Sequence, residues 1–182
     1  MKLTIAVSFL CASLLTSAGA TAQWPAPEAP VVPEAAGYAA IPNAALPPTR
    51  AQVYRAIFDA TRAAKQPTQL VPAIDMAGSG LNALGVERVP LENAKFAVVF
   101  HGPAIDGILD EAHYKAKFGV SNPNLKVLAQ LKKAGVELFV CGQNLIFESI
   151  DPKTLSPDVQ VASKALLVLI DYQGKGYALM SF

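Results

Sequence analysis

SNPNLKVLAQLKKAGVELFVCGQNL, residues 121–145, holds a helix, its stop and the strand that follows it. Asn122 is placed to cap the helix and Pro123 to sit in its first turn, where the missing N–H leaves no hydrogen bond unmade. Leu125, Leu128 and Leu131 recur at helical spacing. Lys132 and Lys133 fall in the last turn, where the helix dipole favours positive charge, and Gly135 supplies a left-handed stop. Val136 to Cys141 is then an apolar run of strand length. A helix feeding a buried strand through a short link is the repeating unit of a helix-covered parallel sheet.

The same alternation extends in both directions. KFAVVFH (95–101) is a buried strand closed by Gly102-Pro103, and Asp106 to Phe118 has the mixed spacing of a helix closed by Gly119. Downstream come a short strand at 159–161, an apolar helix from about Ser163 to Gln173 stopped by Gly174, and a last strand from Tyr177 to Ser181. Strands apolar on both faces and separated by helices predict an α/β fold of three layers, α/β/α, with a mainly parallel sheet. QVYRAIFD (52–59) fits a helix by Val53 and Ile57 and a strand by its alternation, and periodicity alone does not choose.

Residues 49–182 are long enough for one domain with its own core. Before them, residues 23–48 are dominated by Ala and Pro. Proline removes amide donors and fixes the backbone, so this segment is expected to be an extended arm or linker rather than a packed element. Residues 1–22 carry Lys2, an apolar run from Leu3 to Leu15 and the small-residue pattern Ala20-Thr21-Ala22, which reads as a secretory signal peptide cleaved after about Ala22. The apolar run is shorter than the roughly 20 residues a membrane-spanning helix needs. An exported, periplasmic protein without a membrane span is therefore expected. Loss of the leader would remove Cys11 and leave Cys141 as the only cysteine, and loss of Lys2 would leave basic and acidic residues equal in number. Such a balance does not favour nucleic acid, whose phosphates select a basic surface.

In an open parallel sheet, reactive groups gather at the carboxyl ends of the strands. His101 ends one expected strand and Cys141 another, so neighbouring strands would bring imidazole and thiol to one rim. Gly142, Gln143 and Asn144 form the loop after the cysteine, with Asn144 as a candidate cap of a short helix, a setting that favours thiolate. The pattern alone leaves two readings of Cys141, since free cysteine is also among the most buried residue types. His113 with Asp110 and Glu111 has no recognised metal-ligand spacing, and Ala77-Gly78-Ser79-Gly80-Leu81 lacks the Gly-Lys-Ser/Thr ending of a phosphate loop. Neither a metal nor another cofactor is expected.

FAVVFHG (96–102), YKAKFGVSNPNLKVLAQLKKAGVELFVCGQ (114–143) and GYALMSF (176–182) together resemble the DsrE/DsrF-like family over Tyr54 to Phe182. The resemblance implies a five-stranded parallel sheet between helices, assembly into trimers or hexamers, and a strand at Tyr54 to Asp59. It also implies a role for Cys141, because the matching cysteine of characterised relatives accepts and passes on sulfane sulfur as a persulfide, in sulfur oxidation or tRNA thiolation relays. Those relatives are cytoplasmic and work with partner subunits, whereas this chain has an export-like leader and an Ala/Pro arm. The function expected is periplasmic sulfur handling on Cys141 assisted by His101, with a donor or acceptor protein as partner. The alternative is an oligomeric binding module for a small molecule or protein, without turnover. A Cys/His hydrolase is a third class, for which no acidic residue stands out in sequence as the orienter of His101.

Overall fold

The computed structural model describes residues 24–182, so the leader reading and Cys11 lie outside the described residues. Five strands form one sheet: β1 (Tyr54–Ala60), β2 (Ala94–Phe100), β3 (Glu137–Cys141), β4 (Gln160–Ala162) and β5 (Ala178–Ser181). Their order is β4-β3-β2-β1-β5, and all four pairings are parallel. The helices are α1 (Pro72–Val86), α2 (Glu111–Phe118), α3 (Asn124–Lys133), α4 (Gly142–Phe147) and α5 (Ala165–Gly174). The α/β, five-stranded expectation holds, and residues 54–60 are a strand. Ile57 and Phe58 are both buried there, one on each face of the sheet.

Successive residues of a strand point to opposite faces, and the core divides accordingly. Ala56, Phe58, Phe96, Val98, Phe100, Leu138 and Val140 face a large cluster built with Ile74, Ala77 and Leu81 of α1 and Val127, Leu128 and Leu131 of α3. Ile57, Ala97, Val99 and Cys141 face the other way and meet Ala165 and Tyr172 of α5. On this second face α5 touches β1, β2, β3 and β5.

α3 begins as its sequence indicates. Asn122 Oδ1 accepts from the backbone N–H of Asn124 at 2.9 Å, Pro123 already has helical backbone angles, and Gly135 is left-handed at φ 89°. The single helix expected over Asp106 to Phe118 is instead a 3-10 helix (Gly102–Ile108) followed by α2. The break comes from outside the segment: Asp110 donates its N–H to the carbonyl of Thr154, and Ile108 accepts from Ser156. Asp110 then caps α2 by accepting from His113 N.

The Ala/Pro segment requires a correction. It contributes no helix or long strand, yet it packs against its own chain, with Val32 and Ala35 buried in the α1 side of the core. Helix α1 provides the seat. A Cβ at Gly78 would stand 2.4 Å from the Ala35 Cβ, and one at Gly85 would stand 2.8 Å from Val31 Cγ2. Asn82, with no exposed surface, accepts from the N–H groups of Val31 and Val32 and donates to the carbonyls of Val32 and Ala36. Asp75 accepts from Ala36 N, and Glu34 pairs with Lys126. Composition identified a proline-rich segment without regular structure; its docking depends on Gly78, Asn82 and Gly85 of α1, the Asn82 bonds spanning 46 to 51 positions.

Asn82→Ala strands the buried amide donor of Val32 and the part-buried one of Val31 at once, and a buried donor left unpaired costs about 1–3 kcal/mol. We expect a clearly lowered thermal midpoint together with new protease cleavage within residues 25–50, read by thermal scanning and limited proteolysis followed by mass analysis.

Candidate functional site

Strand parity and register decide which side chains meet. β1 pairs with β2 from Tyr54 opposite Ala94 to Ala60 opposite Phe100, and β2 pairs with β3 up to Phe100 opposite Val140. One residue further out, His101 and Cys141 leave neighbouring strands side by side, about 4.8 Å apart in the pairing direction. Asp59 lies opposite Val99, two residues short of His101 and on the same face. The carboxyl ends of β1, β2 and β3 thus bring a carboxylate, an imidazole and a thiol together beneath the start of α5.

His101 Nε2 lies 2.6 Å from Asp59 Oδ1, a short bond of the charge-assisted kind. The Asp59 side chain is 17 % exposed and that of His101 29 %. Backbone bonds hold both residues: His101 donates its N–H to Ala60 O at 3.0 Å, and Asp59 O accepts from Phe182 N at 3.0 Å. The Phe182 carbonyl in turn accepts from Thr61 N and from Thr61 Oγ1.

Cys141 is a free thiol, 4 % exposed, packed in the α5-side cluster. It nevertheless lines a cavity of about 300 Å³ that it shares with His101, Gln143, Asn144, Lys164 and Leu166. The two readings left open by the sequence therefore coexist in one residue, which is mostly covered and also borders a hollow. Among the described residues Lys164 is the only Lys, Arg, Asp or Glu in that lining. Three larger hollows, of about 570 Å³, 560 Å³ and 400 Å³, are lined by neither a thiol nor an imidazole.

The loop after the cysteine is tighter than the sequence suggests. α4 starts at Gly142 without an intervening turn, so Asn144 lies inside the helix rather than capping it, and its Nδ2 reaches Glu148 Oε1 at 3.5 Å. Gln143 and Asn144 line the cavity with Cys141, whereas Gly142 borders the neighbouring hollow between α4 and β4. A Cβ at Gly142 would stand 2.8 Å from the backbone oxygen of Ala162, so glycine lets α4 approach β4 closely.

Asp59 and Lys164 are the members that reading the sequence missed. Asp59 carried a usable signal: if 54–60 and 95–101 are adjacent parallel strands, parity puts it on the face of His101. Lys164 carried none, because its position depends on where α5 starts. His113 stays outside the site, bonded through Nδ1 to Asp110 Oδ1 at 2.8 Å on the exposed start of α2. The backbone N–H of His113, and then its ring, hold the Asp110 carboxyl below its ordinary range. Among the described residues no group of three His, Cys, Asp or Glu side chains is arranged to hold a metal, and no helix is long and apolar enough to cross a membrane.

Two solved structures share this architecture. A protein of unknown function, MTH1491, from Methanobacterium thermoautotrophicum superposes with a TM-score of 0.52 at 17 % identity, covering 71 % of this chain and 99 % of that one. The ychN protein from E. coli gives a TM-score of 0.52 at 15 % identity, with the same 71 % and 99 % coverage. At these identities they speak for the fold alone. No curated protein matches the sequence. The family model of the DsrE/DsrF-like family matches residues 53–182, a span that holds all five strands, and the chain belongs to that family.

Proposed function

We propose that this protein handles sulfane sulfur, holding it as a persulfide on Cys141. The observation that carries the reading is one cavity lined by a thiol and by an imidazole anchored on a carboxylate, in a chain of the DsrE/DsrF-like family. Cys141 gives its proton to His101 and attacks the sulfane sulfur of the donor as thiolate. A new S–S bond forms on Cys141 while the donor's bond to that sulfur breaks. The bonding electron pair leaves on the remaining donor fragment, sulfite from thiosulfate or a shortened polysulfide. Cys141 sulfur is oxidised and the donor reduced, so no further oxidant enters. The restricted cavity and its single ammonium, on Lys164, suit a small anionic donor. The leader-like pattern of residues 1–22 supports a periplasmic setting for this chemistry.

The reading includes a homo-oligomer. α5 is apolar on both sides: Ala165 and Tyr172 are buried against the sheet, yet Leu166, Leu167 and Ile170 are more than half exposed on the outside. Phe147, 80 % exposed at the end of α4, adds to this surface. A helix apolar all round is characteristically covered on every side. Trimeric or hexameric assembly through the outer face of α5 would cover it.

The main test is intact mass after exposure to thiosulfate or polysulfide. Wild type is expected to gain the mass of a sulfur atom, reversibly by reductant, and Cys141→Ser to gain none; an equal gain in the variant would overturn the reading. If the protein is instead a binding module, Cys141→Ala retains ligand binding and the wild type gains no sulfur. Gly142→Ala, which pushes α4 off β4, is expected to slow loading while the fold survives, as read by circular dichroism beside the loading rate. For assembly, Leu167→Glu with Ile170→Glu is expected to convert the oligomer to monomer in sedimentation velocity.

A further inference from the structure

We infer that Asp59 is the positioning residue of the site, fixing which nitrogen of His101 serves as the base for Cys141; this rests on the sulfur-handling reading. A carboxylate only accepts hydrogen bonds, so the 2.6 Å contact with Oδ1 requires the proton of the neutral imidazole to sit on Nε2. Nδ1 is then the unprotonated nitrogen, and His101 shares its cavity with Cys141. When Nδ1 takes the thiol proton the ring becomes a cation. Lys164, in the same lining, opposes a second positive charge there, and Asp59 behind the ring offsets it. The groups around the imidazole are therefore Asp59 from β1, Cys141 from β3 and Lys164 at the start of α5, with the neutral amides of Gln143 and Asn144 from α4.

The arrangement also explains an acidic residue set among buried apolar ones near the end of an internal strand. Ile57, Phe58 and Ala60 around Asp59 are all buried. A carboxylate among them is costly without a partner, and the partner is the ring that reaches back from β2. With the ring held by that bond, the proton moves from Cys141 Sγ to His101 Nδ1 and on to the departing donor fragment, and Asp59 takes no part in the transfer.

The test is a double-mutant cycle read as rate against pH, by sulfur loading from polysulfide and by iodoacetamide alkylation of Cys141, which needs the thiolate but no sulfur donor. Asp59→Asn is expected to slow both reactions roughly tenfold or more and to move the rising limb of each profile to higher pH, because the imidazolium loses its counter-charge. In a His101→Gln background Asp59→Asn should have no further effect. Unchanged profiles in Asp59→Asn, or an equal slowing with and without His101, would overturn the inference. Should Asp59→Asn fail to fold, the nitrogen-15 shifts of His101 in wild type decide: a proton on Nε2 supports the assignment and a proton on Nδ1 alone refutes it. Normal alkylation behaviour with no sulfur gain in wild type would instead defeat the sulfur reading and leave the role of Asp59 standing.

Discussion

Parallel pairing of β1 with β2, in register from Tyr54 opposite Ala94 to Ala60 opposite Phe100, sets the geometry on which the rest of the molecule depends. Shifting β1 by one residue would send Asp59 to the α1 side and bring Phe58 under α5. The apolar residues on both faces resist that shift, because Phe58 packs on Phe96 with ring centroids 5.4 Å apart while Ile57 is buried in the opposite cluster. The core packing that fixes register therefore also fixes the distance between carboxylate and imidazole.

The two faces of the sheet are built on different terms. On one side α1 and α3 are joined by the docked Ala/Pro segment, and buried polar groups such as Asn82, Asn122 and Asn124 tie loops to helices. On the other side a single helix covers the strands, and Tyr172 is its one buried phenol. Burial, followed by the hydrogen bond to Glu137, raises its pKa above the ordinary value, so it stays neutral as a packing element with its ring against Phe139. Asp59, His101 and Cys141 sit on this side of the sheet, beside a hollow that His101 and Cys141 line.

Elements were legible in the sequence where a local rule determined them. The run Asn122 to Cys141 contains its own cap, stripe, stop and strand, and each is found in the structure. α1 was not legible, because Gly78, Ser79 and Gly80 dilute its helical signal; they are there because the Ala/Pro segment and Phe96 press against the glycines. The break before α2 was hidden as well, since hydrogen bonds from residues 154 and 156 impose it. At the site, His101 and Cys141 could be named from strand ends, and Asp59 only once two strands were known to be neighbours. The expected Asn144 cap failed because α4 begins at Gly142, in contact with β4.

The burial of Cys141 has a consequence for selectivity between oxidation routes. A disulfide with another protein requires two Cβ atoms within about 3.5–4.5 Å of each other, and at 4 % exposure a second polypeptide cannot bring its cysteine that close without moving α5. The hollow of about 300 Å³ beside the sulfur holds only a small molecule. The fold thus acts as a size filter on Cys141: burial hinders cross-linking to a second polypeptide, while the bordering hollow is of a size for reagents of a few atoms.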